Sequence, residues 1–258
     1  MKFDSAYYNG NFQRDYTLTE LENLKENNWQ DFENIRNHLY CPECRRAGIK
    51  AVCDNPFYLS SKPVIKNNLP HTSKCSHRYE AVTSLQYNKY SENLPNATTI
   101  NRRLKNLIRN AFFNEQINHT DFLLSVSKNN KNEIEEYDKQ RPNASRSIPR
   151  KMITERFYDE DYNCYKMFYG EVLLDWKNDY KDKAEVVLLK LDKKYICSLT
   201  MSVSYIKNKI DVQFIKNRQV KIAFNSKIVW KHYITKEGEK KKIRNSHIEN
   251  PLHIFFLD

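Results

Sequence analysis

The chain has 258 residues, 43 Lys and Arg against 32 Asp and Glu, and a formal charge of +11, with four glycines and six cysteines. That length suits one large domain or two ordinary ones. Gly10, Gly48, Gly170 and Gly238 assemble neither a P-loop nor a dinucleotide fingerprint, and six cysteines are too few for a disulfide scaffold in a chain this long.

A positive balance favours polyanionic partners. No run of about 18 apolar residues is present to span a membrane. The opening "MKFDSAYYNGNFQRDY" lacks the apolar stretch of a signal peptide, so a cytoplasmic location and reduced thiols are expected.

In chain order, Leu18, Leu21, Leu24, Trp29, Phe32, Ile35 and Leu39 recur at helical spacing and predict a helical N-terminal region. Thr17 and Glu20 stand at the spacing of a capping box, and Asn27-Asn28 is a point at which the helix can divide. Residues 41 to 80 are rich in Cys, Pro, Lys and His, with short strand-like pieces "GIKAVC" and "PFYLSS" between turn signals.

Within that stretch, Cys41-Pro-Glu-Cys44 places two thiolates on one turn. The distant "HTSKCSH" supplies His71 and Cys75, with His77 as a competing imidazole. Two such half-sites make four tetrahedral ligands for a zinc ion, and a set closed by four protein ligands leaves no position for catalytic water. The expected set is Cys41, Cys44, His71 and Cys75 around a structural Zn2+; the spacing leaves His71 and His77 both open as the fourth ligand. Cys53, Cys164 and Cys197 are expected to be small buried residues.

"CPEC", the aromatic Phe57 in "NPFYL", and then His71 and Cys75 resemble the zinc ribbon at the front of CoiA-like competence proteins and related bacterial mobile-element or defence proteins. The likeness covers about forty residues, implies DNA-related work in a phage, mobile-element or defence setting, and brings no catalytic residue with it. Arg45 departs from the pattern, standing where a glycine commonly follows the first pair of cysteines.

After Pro95, Ile100, Leu104, Leu107 and Ala111 share one helical face, with Arg102, Lys105 and Arg109 opposite. Residues 127 to 151 contain almost no apolar side chains and read as a polar linker. From 152 onward five segments are rich in β-branched and aromatic residues, and residues 204–217 between the third and fourth suit either helix or strand. Taken as a helix, that segment gives the order of an OB-type barrel. The expected class is therefore α+β: a helical and zinc-ribbon domain over 1–126, a linker over 127–151, and an OB-like β-barrel over 152–258.

An OB-type barrel grips its ligand with the loops after its first and fourth strands. The first such loop is expected to carry Trp176, Lys177, Tyr180 and Lys181, and the second Tyr233, Lys240, Lys241, Lys242 and Arg244. Cations neutralise phosphates and rings stack on bases, so these residues, with Arg102, Lys105 and Arg109, form the expected nucleic-acid surface. The function they support is binding of nucleic acid, single-stranded DNA in particular, with little sequence readout; the residues do not separate DNA from RNA. Two rival readings are a zinc-ribbon adaptor or inhibitor working through a protein partner, and a metal-dependent nuclease drawing on Asp161 and Glu171. No nucleophile motif or second ligand set supports an enzyme.

Overall fold

The computed structural model describes residues 2–62, 69–72, 75, 77, 94–113, 150–180, 183–204, 218–234 and 238–257. They form two compact units, the first ending before residue 83 and the second holding 94–113 and 150–257.

The first unit is built on two small sheets rather than on helices. Strands β1 (Lys2–Phe3), β6 (Tyr58–Ser61) and β5 (Ile49–Val52) make one antiparallel sheet in that order; β3 (Gln13–Thr17), β2 (Ser5–Asn9) and β4 (Leu39–Tyr40) make the other. Asn9-Gly10 lies in the turn between β2 and β3, a turn signal flanked by tyrosines.

Two short helices do occur. α1 (Leu18–Asn27) opens on the Thr17–Glu20 capping box: Glu20 N–H donates to Thr17 Oγ1 at 3.2 Å, and Thr17 N–H donates to Glu20 Oε2 at 2.8 Å. α2 (Trp29–Arg36) is started by Asn28, whose side chain accepts from Asp31 N–H, so the Asn27-Asn28 pair divides the apolar stripe as its sequence predicts. Leu18, Leu21, Phe32 and Ile35 bury that stripe with Leu39, Ile49, Phe57 and Leu59.

The expected α+β class with a helical N-terminal region is thus overturned. In the first unit the helices cover only 18–36 among the described residues, and strands flank them on both sides. The stripe was legible because helical periodicity is a local property, whereas β1 and β4, of two residues each, are too short to carry a period of two.

The second unit centres on long strands: β8 (Tyr165–Tyr180), β9 (Lys183–Leu189), β10 (Tyr195–Ser202), β11 (Arg218–Ile234) and β12 (Lys240–His247). They pair in the order β8-β9-β10-β12-β11, and β11 returns to β8, closing a five-stranded barrel. β10 and β12 run parallel and the other pairs of the closure antiparallel. This is the strand path of an OB-type Greek-key barrel. Short strands β7 (Arg150–Met152) and β13 (Ile254–Leu257) add to β8 and β11.

Alternate residues of each strand fill the interior, where Phe168 and Phe224 stack at 5.2 Å among Val172, Leu188, Leu199 and Ile222. Gly170 leaves room there: a Cβ would come within 2.7 Å of Ile153. Residues 205–217, where helix and strand were both open, lie outside the described residues.

Helix α3 (Ala97–Phe113) is capped by Asn96, whose side chain accepts from Thr99 N–H at 2.8 Å. It buries Ile100, Leu104, Leu107 and Ile108 and packs on β11, β13 and the single turn Pro251–His253, with Asn101 Nδ2 donating to Leu252 O at 3.1 Å. The helix therefore belongs to the second unit and not to the first. Its apolar face is visible in the sequence, but the surface that covers that face lies more than a hundred residues away. Arg150 and Lys151, placed at the end of the linker by composition, are in β7; residues 127–149 lie outside the described set. No helix among the described residues is long and apolar enough to cross a membrane.

Candidate metal centre and barrel surface

Cys41 and Cys44 sit on the turn that leaves β4. Cys41 N–H donates to Ala47 O at 2.7 Å, and Arg45 N–H donates to Cys41 O at 2.8 Å. These bonds curl the backbone so that both sulfurs face the same point.

Arg45 has φ of +52°, the left-handed region in which a glycine is least strained, which accounts for the glycine usual there in zinc ribbons. Its guanidinium lies 4.5 Å from the centre of the Tyr7 ring, a cation–π contact that offsets part of the cost.

His71 and Cys75 come to the same point. One ligand atom from each of Cys41, Cys44, His71 and Cys75 lies within 4.8 Å of all the others. Bond lengths of about 2.3 Å to sulfur and 2.0–2.1 Å to nitrogen imply tetrahedral edges of about 3.8 Å between sulfurs and about 3.6 Å between sulfur and nitrogen. The observed Cys41–Cys75 sulfur separation is 3.7 Å, and His71 Nδ1 lies 3.5 Å from Cys44 Sγ and 3.3 Å from Cys75 Sγ. The group can hold a metal ion with little rearrangement.

Its electrostatics agree. Hydrogen bonds from Cys41 and Cys75 hold the Cys44 thiol far below its ordinary value, while donation to Cys44 pushes Cys41 up to about 12 and donation to Cys41 pushes Cys75 up as well. Three sulfurs this close share one negative charge unless a cation compensates the rest.

The open choice between the two histidines is resolved by geometry. His77 Nε2 faces Glu43 Oε2 at 3.7 Å and its ring packs on Phe3 at 4.8 Å, outside the ligand group. Cys53 is half-buried beside Arg36, Cys197 is buried in the barrel, and Cys164 donates to Glu160 O at 3.2 Å; none joins the site.

On the barrel, the two expected loops prove to be mostly strand. Trp176, Lys177 and Tyr180 are in β8, which runs to within two residues of β9, and Lys181 lies outside the described residues. Tyr233 is in β11, and Lys240, Lys241, Lys242 and Arg244 are in β12. Gly238, just before β12, has a φ of +83°, a conformation that suits glycine. Arg102, Lys105 and Arg109 are exposed on α3, as expected, with the Lys105 ammonium 5.5 Å from the Phe255 ring centre.

Cross-strand register creates a surface that the sequence does not display. Trp230, His232 and Ile234 alternate along β11 and stand opposite Arg244, Lys242 and Lys240 of β12. Trp230 is 38% exposed and Ile234 67% exposed; His232, Lys240 and Lys242 are exposed. Tyr162 stacks on Trp230 at 5.0 Å and 21°, and the Lys242 ammonium lies 4.5 Å from the Trp230 ring centre. Arg244 fixes this platform: Nε donates to Tyr162 Oη at 2.9 Å, Nη1 donates to Ile196 O at 3.1 Å, and the guanidinium lies over Phe157.

Tyr162, Trp230 and His232 were absent from the expected surface. The available signal was Trp-x-His-x-Ile in β11, a period-two run whose outward side could have been matched to the Lys-rich strand that follows.

The acidic residues weighed for a nuclease are occupied otherwise. Asp161, 3% exposed, receives Lys166 Nζ at 2.7 Å and Lys151 Nζ at 3.8 Å, and Glu171 accepts from Gln219 Nε2 at 2.9 Å.

No family model and no curated protein matches the chain. The likeness to the CoiA-like ribbon therefore rests on the motif quoted above. Among solved structures, the mitochondrial single-stranded DNA-binding protein Rim1 from S. cerevisiae is similar over 36% of this chain and 93% of its own, at 9% identity and a TM-score of 0.24.

Proposed function

We propose that the chain binds single-stranded nucleic acid, DNA in particular, with little sequence readout, through the β11–β12 face of the barrel. In this reading a zinc ion in the Cys41, Cys44, His71 and Cys75 site fixes the first unit. The observation that carries it is the exposed Trp230 set among Lys240, Lys242 and Arg244 on one side of the hairpin of the fourth and fifth barrel strands, whose loop OB-type barrels use to grip a ligand.

Tyr162 backs the indole, and Arg244 is already locked to Tyr162 and Ile196, so the ring is positioned before a ligand arrives. Lys242 has a flexible stem, so its ammonium can leave the ring for a phosphate and uncover the indole for a base. Stacking of this kind is worth about 1–3 kcal/mol per base and tolerates any base, because each has a π-face. The zinc ion supplies cross-linking alone, since all four positions are taken by protein.

Fluorescence polarisation with labelled single-stranded and duplex oligonucleotides at two salt concentrations tests the reading. Binding should favour the single strand and weaken with salt. Trp230→Ala should cost about 5- to 150-fold in affinity, and Lys242→Ala should lower the log–log salt slope by about 0.7. Indifference to every oligonucleotide at low salt, or undiminished binding by Trp230→Ala, would overturn it. Salt-independent binding to a protein partner alone would favour the adaptor reading.

A further inference from the structure

The first unit has a second concave feature that the metal centre does not use. A cavity of about 380 Å³ opens between the end of α2 and strand β5, lined by Arg36, Asn37, Lys50, Ala51, Val52, Cys53 and Lys62. That volume is within the range of small-ligand sites.

Among the described residues its lining contains three cationic side chains, no carboxylate and no aromatic ring. We infer that this cavity is a phosphate site, which takes a phosphoryl group by its charge and oxygens, whether the group comes as a free phosphate compound or on a nucleic-acid backbone.

Two of the cations are positioned by neighbouring groups. Arg36 Nη1 meets Glu33 Oε1 at 3.2 Å, and its guanidinium lies 5.9 Å from the Trp29 ring centre and 6.0 Å from that of Phe32, which fixes the planar group while leaving further N–H donors. Lys62 Nζ donates to Asn37 O at 3.3 Å, so the ammonium sits at the end of α2. Burial lowers its pKa. Lys50 is exposed at the rim and can fold over an entering group.

β5 pairs with β6 alone among the described residues, so the other edge of β5 offers backbone N–H groups at alternate positions. Planar guanidinium, two ammonium groups and backbone N–H donors are the usual partners of a phosphoryl group.

Cys53 provides the readout. Its sulfur lies in the lining, 3.8 Å from Arg36 Nη1, so a phosphate held by Arg36 and Lys62 would cover it. The inference does not rest on the barrel surface, and its test uses no binding by the barrel.

Alkylation of the intact protein by neutral iodoacetamide is followed peptide by peptide by mass spectrometry, with half-buried Cys164 of the other unit as internal reference. Inorganic pyrophosphate should slow modification of Cys53 about fivefold in a saturable manner and leave Cys164 unchanged. Lys50→Glu, an exposed change that leaves the fold intact, should raise the pyrophosphate concentration for half protection about tenfold. Lys62→Ala, checked for retained metal content, should do the same.

An unphosphorylated oligonucleotide is the second arm. Protection by it as well assigns the cavity to a strand's backbone, and protection by pyrophosphate alone assigns it to free phosphate compounds; either supports the site. No protection by either, protection reproduced by sodium chloride at equal ionic strength, or protection undiminished in both variants would overturn it.

Discussion

Removing the metal from the first unit should unfold that unit and leave the barrel standing. Cys41 and Cys75 are 34 residues apart, and an ion held by both would tie one to the other. Treated as a cross-link, closing a loop of that length lowers the entropy of the unfolded chain by an amount worth about 4 kcal/mol. The coordination bonds themselves are worth more, about 10–16 kcal/mol in small zinc domains. Whole-domain stability is only about 5–15 kcal/mol, so even the smaller figure is a large share of what a unit of this size has.

The assay is hydrogen exchange by mass spectrometry before and after chelation, with metal content measured in parallel. Amides of β1, β5 and β6 should lose at least about a thousandfold of protection, the equivalent of 4 kcal/mol. Those of β8 to β12 should not move. Cys75→Ser should reproduce the loss without chelator. Protein that is purified without metal, or β5 and β6 amides that stay protected once the metal has gone, would refute the reasoning.

Three further outcomes follow from particular contacts. Arg45→Gly should be nearly neutral in thermal unfolding, since relief of the left-handed backbone offsets the lost contact with Tyr7, whereas Arg45→Ala keeps the strain, loses the contact and should cost about 1 kcal/mol. Asp161→Asn removes the carboxylate between Lys151 and Lys166 and should cost about 3–5 kcal/mol in denaturant unfolding, because a buried ammonium loses its partner. Burial lowers the pKa of His253, so below about pH 6.5 the unfolded chain takes up a proton that the folded chain resists. Stability should therefore fall as pH drops from 6.5 toward the folded value and then level off, and His253→Gln should flatten that part of the melting-temperature profile.

The local chemistry of the chain was legible from its residues. The capping box at Thr17 and Glu20, the break at Asn28, the pieces around Ile49–Val52 and Tyr58–Ser61, and each half of the Cys41, Cys44, His71 and Cys75 group depend on neighbours within a few positions, and the capping box, the break and the strand pieces form as their spacing predicts. The Asn9-Gly10 reversal had an equally local signal, and with it the pairing of β2 with β3 could have been anticipated.

Tertiary structure alone decided the rest, because each remaining feature depends on what packs against a segment from far along the chain. An apolar stripe states that α3 will be buried, and only the fold shows that β11 and β13 bury it. Both His71 and His77 lie within reach of Cys75 in the sequence, and in the fold His77 faces the ring of Phe3 and the carboxylate of Glu43 instead. Strand composition cannot say which residues stand opposite each other; the register of β11 on β12 brings Trp230 to Arg244, just as the meeting of α2 with β5 brings Arg36 to Lys50 and Lys62.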